Sequence, residues 1–91
     1  MRITEKELKE KIKIFENEDV ILKFDVLIQG QLEFSKIRIN YNRQTSYLDI
    51  ADTTNDNELK INIASAYEIN LECSNLQILL DDDIELIIMK K

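Results

Sequence analysis

The sequence predicts an α+β fold in which one N-terminal amphipathic helix packs on an antiparallel sheet of five or six strands. Near the N-terminus, a helix-start signal precedes apolar residues at helical spacing, and apolar and polar residues alternate through most of the remaining chain. Alternation with period two gives each strand one apolar face and one solvated face. Some strands also carry apolar residues on their second face, which favours a sheet curled into a small barrel as the alternative to an open sheet.

The helix is predicted over about 5–15. Thr4 and Glu7 fit a capping box, in which the Thr4 hydroxyl accepts from the Glu7 backbone N–H and the Glu7 carboxylate reaches back to Thr4. A single apolar stripe follows at i, i+4 and i+7, formed by Leu8, Ile12 and Phe15. Asn17 is the expected stop.

Strand segments are predicted at about 20–29, 32–41, 47–51, 59–63, 67–73, 76–80 and 84–89, all within one domain covering residues 1–91. Gly30 is the one glycine and lies between two apolar runs, which predicts a tight turn or a bulge with a positive φ. Up to Phe34 the apolar residues that would face the core have even numbers, and from Ile37 onward they have odd numbers, so the pattern shifts by one residue at Ser35 and Lys36. Because a one-residue shift moves the apolar set to the other face, a bulge or bend is expected there.

Turns are predicted where polar residues interrupt the alternation. The run 52–58 is the longest polar interruption and predicts a mobile loop, and shorter turns are expected at Ser74 and Asn75 and among the three aspartates 81–83. Cys73 shares the predicted inward parity of Tyr67 and Ile69. This parity predicts a buried, unreactive thiol.

Charge is distributed unevenly along the chain. Residues 1–43 contain nine basic and eight acidic residues, whereas residues 44–89 contain ten acidic residues and one lysine; Lys90 and Lys91 restore the net charge of −6. Clustered lysine and arginine normally bind phosphate backbones, so direct nucleic-acid binding is not expected. The acidic part instead favours a protein partner with a basic surface, and the alternative is that it only solvates the wet face of the sheet.

Several chemistries are excluded by residue counts. Histidine is absent, and the single cysteine and single glycine cannot form a zinc site, an internal disulfide, a P-loop or a dinucleotide fingerprint. We therefore predict a non-enzymatic protein with no catalytic residues, cofactor or metal. A cation-binding or small enzymatic site in the oxygen-rich run 52–58 is the third function that we consider.

Aromatic and arginine residues lie close together in the middle of the chain: Phe34, Arg38, Tyr41, Arg43 and Tyr47. Such a group can stack single-stranded bases. Cross-strand packing of the aromatics, with the arginines exposed, is the alternative that the negative net charge favours.

Neither a membrane segment nor a secretory signal is expected. No apolar run approaches the ~20 residues that span a bilayer, and the N-terminus lacks the apolar core of a signal peptide. A cytoplasmic location is the expectation.

The second-face apolar residues indicate where a partner would bind. Ile21, Leu27, Leu79, Ile87 and Met89 lie on the face opposite the predicted core. Uncovered apolar strips of this kind usually mark interfaces. The predicted protein interface combines the strip on the last strands with nearby acids, and it comprises Glu68, Glu72, Leu79, Glu85, Ile87 and Met89.

Two functions are therefore predicted from different classes. The first is a small acidic interaction module that regulates or inhibits a basic, nucleic-acid-handling protein. The second is a self-assembling small barrel that acts as a homo-oligomer. One helix followed by about five strongly bent strands resembles the architecture of Sm-like small barrels, but the asparagine-containing aspartate turn and the arginine-glycine step that hold RNA in that family have no counterpart in this sequence.

Overall fold

The computed structural model describes residues 1–25, 30–81 and 84–91, and it confirms the α+β class. Helix α1 spans Glu5–Lys11 and continues as a 3-10 helix over Ile12–Phe15. The described strands are β1 (Val20–Asp25), β2 (Gly30–Phe34), β3 (Arg38–Asn42), β4 (Tyr47–Asp52), β5 (Asn57–Asn62), β6 (Glu68–Glu72), β7 (Asn75–Leu80) and β8 (Ile84–Lys90).

The strands form two separate antiparallel sheets. One has five strands in the order β2-β1-β8-β7-β6, and the other has three in the order β3-β4-β5. The predicted antiparallel sheet of five strands is therefore present, but the prediction that it is the one sheet of the fold is wrong, and so is the alternative of a small barrel. Among the described strands, β2 and β6 are the edges of one sheet and β3 and β5 are the edges of the other, so neither sheet closes.

The predicted helix is confirmed in its start, its apolar stripe and its extent. The Thr4 hydroxyl accepts from the Glu7 backbone N–H at 3.2 Å, and the Thr4 backbone N–H donates to the Glu7 carboxylate at 3.1 Å. The Glu7 carboxylate accepts from the Thr4 backbone N–H and also from the Thr4 hydroxyl, at 3.1 Å, and these two hydrogen bonds hold the pKa of Glu7 below its usual value. The stripe residues Leu8, Ile12 and Phe15 are all buried. The chain then turns at Asn17, whose φ of 63° is in the left-handed region that asparagine tolerates.

The predicted strand 32–41 is divided into two strands that belong to different sheets. β2 ends at Phe34, β3 begins at Arg38, and Lys36 between them has a φ of 46°. The parity change at Ser35 and Lys36 thus marks the point where the chain passes from one sheet to the other. A bend was the correct prediction, and the physical reason is that each half of the segment buries its own face in the core.

This corner is fixed by the segment that follows the 3-10 helix. The backbone hydrogen bonds join Asn17 N–H to Ile37 C=O at 2.8 Å and Ile37 N–H to Glu18 C=O at 3.1 Å. The Lys36 N–H also donates to the Asp19 carboxylate at 3.1 Å. Because Ile37 is itself fully buried, its polar backbone groups need these partners.

Gly30 does not have its predicted role. It begins β2 opposite Phe24, and no glycine in the described part of the chain has a positive φ. The left-handed residues are instead Asn17, Lys36, Ser46, Asp56 and Cys73. The predicted strand 20–29 is seen as β1 up to Asp25, and its remainder, including the second-face Leu27, lies outside the described residues. The same holds for two of the three aspartates in the predicted turn 81–83.

One hydrophobic core joins the helix and both sheets. Its buried side chains come from the helix stripe, from the inner face of the five-stranded sheet, and from Ile39, Tyr41, Leu48 and Ile50 of the three-stranded sheet. Alternation is clearest in β7 and β8, where Leu76, Ile78, Leu80, Leu86 and Ile88 are buried. The central sheet strands therefore present their other side chains away from the core.

The first residues of the chain extend the five-stranded sheet at its β6 edge. Ile3 N–H donates to Ile69 C=O at 2.8 Å, and Leu71 N–H donates to Met1 C=O at 2.8 Å. Arg2 forms an isolated antiparallel bridge with Asn70. Backbone groups that would otherwise form an open edge are thereby paired.

Tyr41 links β3 to the helix. Its side chain is buried, and its hydroxyl donates a hydrogen bond to the carboxylate of Glu5. Burial, together with the neighbouring Glu5 carboxylate, raises the pKa of Tyr41 to about 12.

We expect Tyr41→Phe to change how stability depends on alkaline pH. An ordinary tyrosine in the unfolded chain ionises near pH ~10, whereas folded Tyr41 keeps its proton to about 12. Its contribution to stability is therefore complete below pH ~10 and is lost as the pH rises through the folded pKa. In urea denaturation series, the free energy of unfolding should fall more steeply between these pH values in the wild type than in Tyr41→Phe. Parallel curves would contradict the assignment.

Candidate protein-binding face

The six predicted interface residues lie together on one side of the five-stranded sheet. Glu68 and Glu72 of β6, Leu79 of β7, and Glu85, Ile87 and Met89 of β8 alternate along their strands with core residues. On the three adjacent strands, Leu79 of β7 lies directly opposite Glu68 of β6 on one side and Glu85 of β8 on the other. We call this solvent-facing side of the five-stranded sheet the acidic face. The structure thus brings the predicted set together, while its role as an interface stays a prediction.

An apolar strip runs across the acidic face. It consists of Ile21, Leu79, Ile87 and Met89, each of them half-buried although it points away from the core. Ile21 pairs directly with Met89 across β1 and β8, and Ile87 lies two residues before Met89 on the same strand. Leu79 is diagonal to Ile87, within the reach of long side chains on neighbouring strands. These side chains form a contiguous apolar surface and are not scattered singly.

Two amide side chains connect the carboxylates on either side of the strip. Asn70 Nδ2 donates to Glu68 Oε2 at 2.7 Å and to Gln77 Oε1 at 3.2 Å. Gln77 Nε2 in turn donates to Glu85 Oε1 at 2.9 Å. This chain of hydrogen bonds crosses β6, β7 and β8. It orients two carboxylates before any partner arrives.

Cations pair with the acids at the rim of the face. The N-terminal ammonium of Met1 contacts Glu72, Arg2 Nη1 lies 4.0 Å from Glu68 Oε1, and Lys91 Nζ lies 3.3 Å from Glu33 Oε2. Most of these groups are well exposed, so each pair contributes little to stability and can exchange for another cation. Glu85 has no salt-bridge partner within the described parts of the chain.

Two residues near the acidic face are more exposed than the sequence predicts. Cys73 was expected to be buried, but β6 ends at Glu72 and Cys73 lies exposed in the turn before β7, with a φ of 48°. Tyr67 precedes β6 and is 56% exposed. The alternation that assigned both to the core applies only within a strand, and both lie beyond the strand ends.

The aromatic and arginine group in the middle of the chain is divided between the core and the surface. Phe34 and Tyr41 are buried, whereas Arg38, Arg43 and Tyr47 are exposed. Tyr47 lies in an open depression of about 670 Å³ on the outer face of the three-stranded sheet, lined also by Asn40, Asn42, Thr45, Asp49 and Lys60. No stack of several aromatics with arginines forms there.

The predicted loop 52–58 is a hairpin turn, so the prediction of a seven-residue loop is wrong. β4 ends at Asp52, β5 begins at Asn57, and the two residues pair in register. The buried Asp52 carboxylate accepts from Thr54 N–H at 2.8 Å, from Asn55 N–H at 3.0 Å and from the Asn55 side chain at 3.1 Å. Burial acts to raise the pKa of Asp52, but the hydrogen bonds from Asn55 and Thr54 outweigh it and lower that pKa overall.

The oxygen atoms of Asp52 are thus occupied by the turn itself. Among residues 1–25, 30–81 and 84–91, no group of three or more acidic or cysteine side chains is arranged to hold a metal ion.

Sequence reasoning missed part of the acidic face. Asn70 and Gln77 were not singled out, and Ile21 was recognised as a second-face apolar residue but not as the neighbour of Met89. Whether a residue has an odd or an even position along its strand gives the face on which its side chain lies. The cross-strand neighbours follow only from the register of strands that are distant in sequence.

Comparison with protein-family models, with curated proteins and with solved structures finds no match to this chain. None of the helices in the described part of the chain has the length and the apolar stretch needed to cross a membrane.

We expect Asp52→Asn to lower the thermal midpoint by several degrees, and the isosteric, charge-matched Asp56→Asn to leave it nearly unchanged. An amide at position 52 must turn an N–H towards one of the three donors that the carboxylate accepts from. Asp56 is exposed in the same turn. Because the folded pKa of Asp52 is lowered, the difference between wild type and Asp52→Asn should shrink as the pH falls below ~4.

Calorimetry with calcium and magnesium completes this test. We expect neither ion to produce heat or to raise the midpoint. A cation-induced rise that Asp52→Asn abolishes would show that the carboxylate serves an ion as well as the turn.

Proposed function

We propose that this protein is a non-enzymatic interaction module, acting in the cytoplasm, which binds a basic protein surface through the acidic face. The observation that carries the proposal is the continuous apolar strip of Ile21, Leu79, Ile87 and Met89, set among Glu68, Glu72 and Glu85 on one face. An apolar centre with a polar, charged rim is the usual arrangement of a protein interface.

The apolar strip supports binding to a protein in preference to a merely solvated role. On a sheet face that only needs solubility, polar side chains at these positions would be better hydrated than adjacent isoleucine, leucine and methionine side chains. Burial of the remaining exposed area would contribute about 25 cal/mol per Å² of apolar surface removed from water. Met89 also adapts its shape to a partner more readily than a branched residue does.

The carboxylates support a basic partner. Glu68 and Glu85 are held by Asn70 and Gln77, so their orientation costs less conformational entropy on binding. The exposed rim pairs, such as Arg2 with Glu68, can be replaced by lysine or arginine of a partner because they contribute little on their own. A protein that handles nucleic acid carries such a basic surface, and covering it would regulate or inhibit that protein.

Self-assembly as a closed barrel is not proposed, because the strands form two open sheets. Self-association through an open sheet edge is compatible with the proposed function, since the acidic face lies on the flat side of the five-stranded sheet.

A charge-reversal experiment tests the electrostatic part. Glu68→Lys, Glu72→Lys and Glu85→Lys are combined in one variant, and the control combines Glu10→Lys, Glu18→Lys and Asp56→Lys, exposed residues outside the strands of the five-stranded sheet. Both variants change the net charge equally. Proteins captured from a lysate of the source organism by the wild type and by the control, but not by the triple variant on the face, are then purified and titrated.

We expect such a partner to be basic and its dissociation constant to rise with salt, because exposed charges beyond the Debye length of ~10 Å at 0.1 M are screened. Equal capture by the two triple variants would refute the proposal. Circular dichroism and thermal melts of both variants establish that loss of binding is not loss of fold.

Methyl NMR tests the apolar part with a defined probe. A synthetic peptide that alternates leucine and lysine is titrated into protein labelled at isoleucine, leucine and methionine methyl groups. We expect the largest shift changes at Leu79, Ile87 and Met89, and little change at Ile14, an exposed isoleucine on the 3-10 helix. A matched peptide with glutamate in place of lysine should have no effect. Similar changes at Ile14 would contradict a specific face.

A further inference from the structure

Strand β5 is an open edge of the three-stranded sheet. In the described parts of the chain its only backbone pairing is with β4. Two other edges are covered: Met1 to Ile3 pair with β6, and the segment after the 3-10 helix bonds to β3 and its preceding corner. β2 is also an edge, but its one charged residue is Glu33. Two copies of β2 would therefore bring together no lysine or arginine to pair with that carboxylate. Unpaired edges readily accept another strand.

The groups that point outward from β5 can be identified from its pairing with β4. Ile63 N–H donates to Ser46 C=O at 2.8 Å, and these residues continue the β4–β5 register. Hydrogen-bonded and non-hydrogen-bonded pairs alternate along an antiparallel ladder. The backbone groups of Leu59 and Ile61 therefore face β4, and those of Glu58, Lys60 and Asn62 face the open edge.

We infer that two copies of this chain pair antiparallel through β5, with Glu58 of each copy opposite Lys60 of the other. A two-fold axis through Leu59 produces this register, and it directs the outward backbone groups of Glu58 and Lys60 at one another. Each of the two pairs exchanges two N–H to C=O bonds, and each also sets a carboxylate beside an ammonium on the exposed side of the sheet.

The neighbouring registers are disfavoured by the same two charges. Centring the axis on Lys60 places two ammonium groups opposite each other, and centring it on Glu58 places two carboxylates opposite each other. A register shifted by one residue places the outward backbone groups of one copy opposite residues of the other copy whose backbone groups already bond to β4. The hydrogen bonds between the two copies then cannot form. The order Glu58, Leu59, Lys60 thus favours the axis on Leu59 over those on the two charged residues. An axis on Ile61 would set Lys60 opposite Asn62 and would form no ion pair between opposite charges.

Apolar residues on the other side of β5 support the same arrangement. Leu59 and Ile61 are half-buried and pack against the core from the edge of the sheet. In the inferred register Leu59 lies opposite its own copy at a non-hydrogen-bonded position, where opposing Cα atoms are only ~4.5 Å apart. The two leucines would cover one another and join the two cores across a continuous six-stranded sheet.

The strand is short, so the pairing should be a concentration-dependent equilibrium and not a permanent dimer. This surface belongs to the three-stranded sheet, so the inference does not depend on the proposed function of the acidic face.

Analytical ultracentrifugation of charge variants tests the register. Across the dimer, Glu58→Lys places a lysine opposite a lysine in both pairs, and Lys60→Glu places a glutamate opposite a glutamate in both pairs. We expect each single variant to dimerise about tenfold more weakly, or worse, than the wild type, because two attractive pairs become two repulsive ones. The double variant Glu58→Lys/Lys60→Glu should recover dimerisation. An equal mixture of the two single variants should form a mixed dimer.

A proline variant separates loss of pairing from loss of fold. The Glu58 N–H points to the open edge, so Glu58→Pro should leave the β4 pairing and the thermal melt nearly intact and should abolish the dimer. A wild type that remains monomeric up to ~1 mM overturns the inference, since even weak pairs of proteins associate at that concentration. Single variants that dimerise like the wild type, or a mixture that forms no complex, overturn the register.

Discussion

At the corner between β2 and β3 the chain leaves one sheet and enters the other, and the arrangement of both sheets depends on this passage. Ile37 is fully buried there, and its backbone N–H and C=O are bonded to Glu18 and Asn17. Lys36 adopts a left-handed conformation and donates to Asp19. The loop after the helix thereby fixes the direction in which β3 starts, and with it the position of the whole three-stranded sheet relative to the helix.

The division into two sheets determines which surfaces are free to bind. With a closed barrel, every edge would be paired and only the outside would face solvent. Two open sheets leave a broad face on the larger sheet and the open edge of β5 on the smaller one. The first surface presents an apolar strip with oriented carboxylates, and the second presents backbone donors and acceptors between opposite charges. The two surfaces would recognise their partners by different physical means.

Local chemistry was sufficient to predict several elements correctly. The capping box of Thr4 and Glu7 and the buried stripe ending at Phe15 are interactions within a few residues, so their spacing in the sequence is enough. Predictions failed where local signals were ambiguous at strand ends. Cys73 has the parity of a core residue but follows the last residue of β6, and a polar run that suggested a loop is a short turn closed by the Asp52 carboxylate.

The sequence by itself determined the class of fold, the face on which a residue within a strand lies, and six of the residues on the acidic face, because side-chain direction alternates along a strand. The tertiary structure decided the number of sheets, the pairing of Ile21 with Met89, and the bridging of two carboxylates by Asn70 and Gln77. Those features join residues that are distant in the sequence. Their register is set by how the whole core packs, and a local pattern does not contain that information.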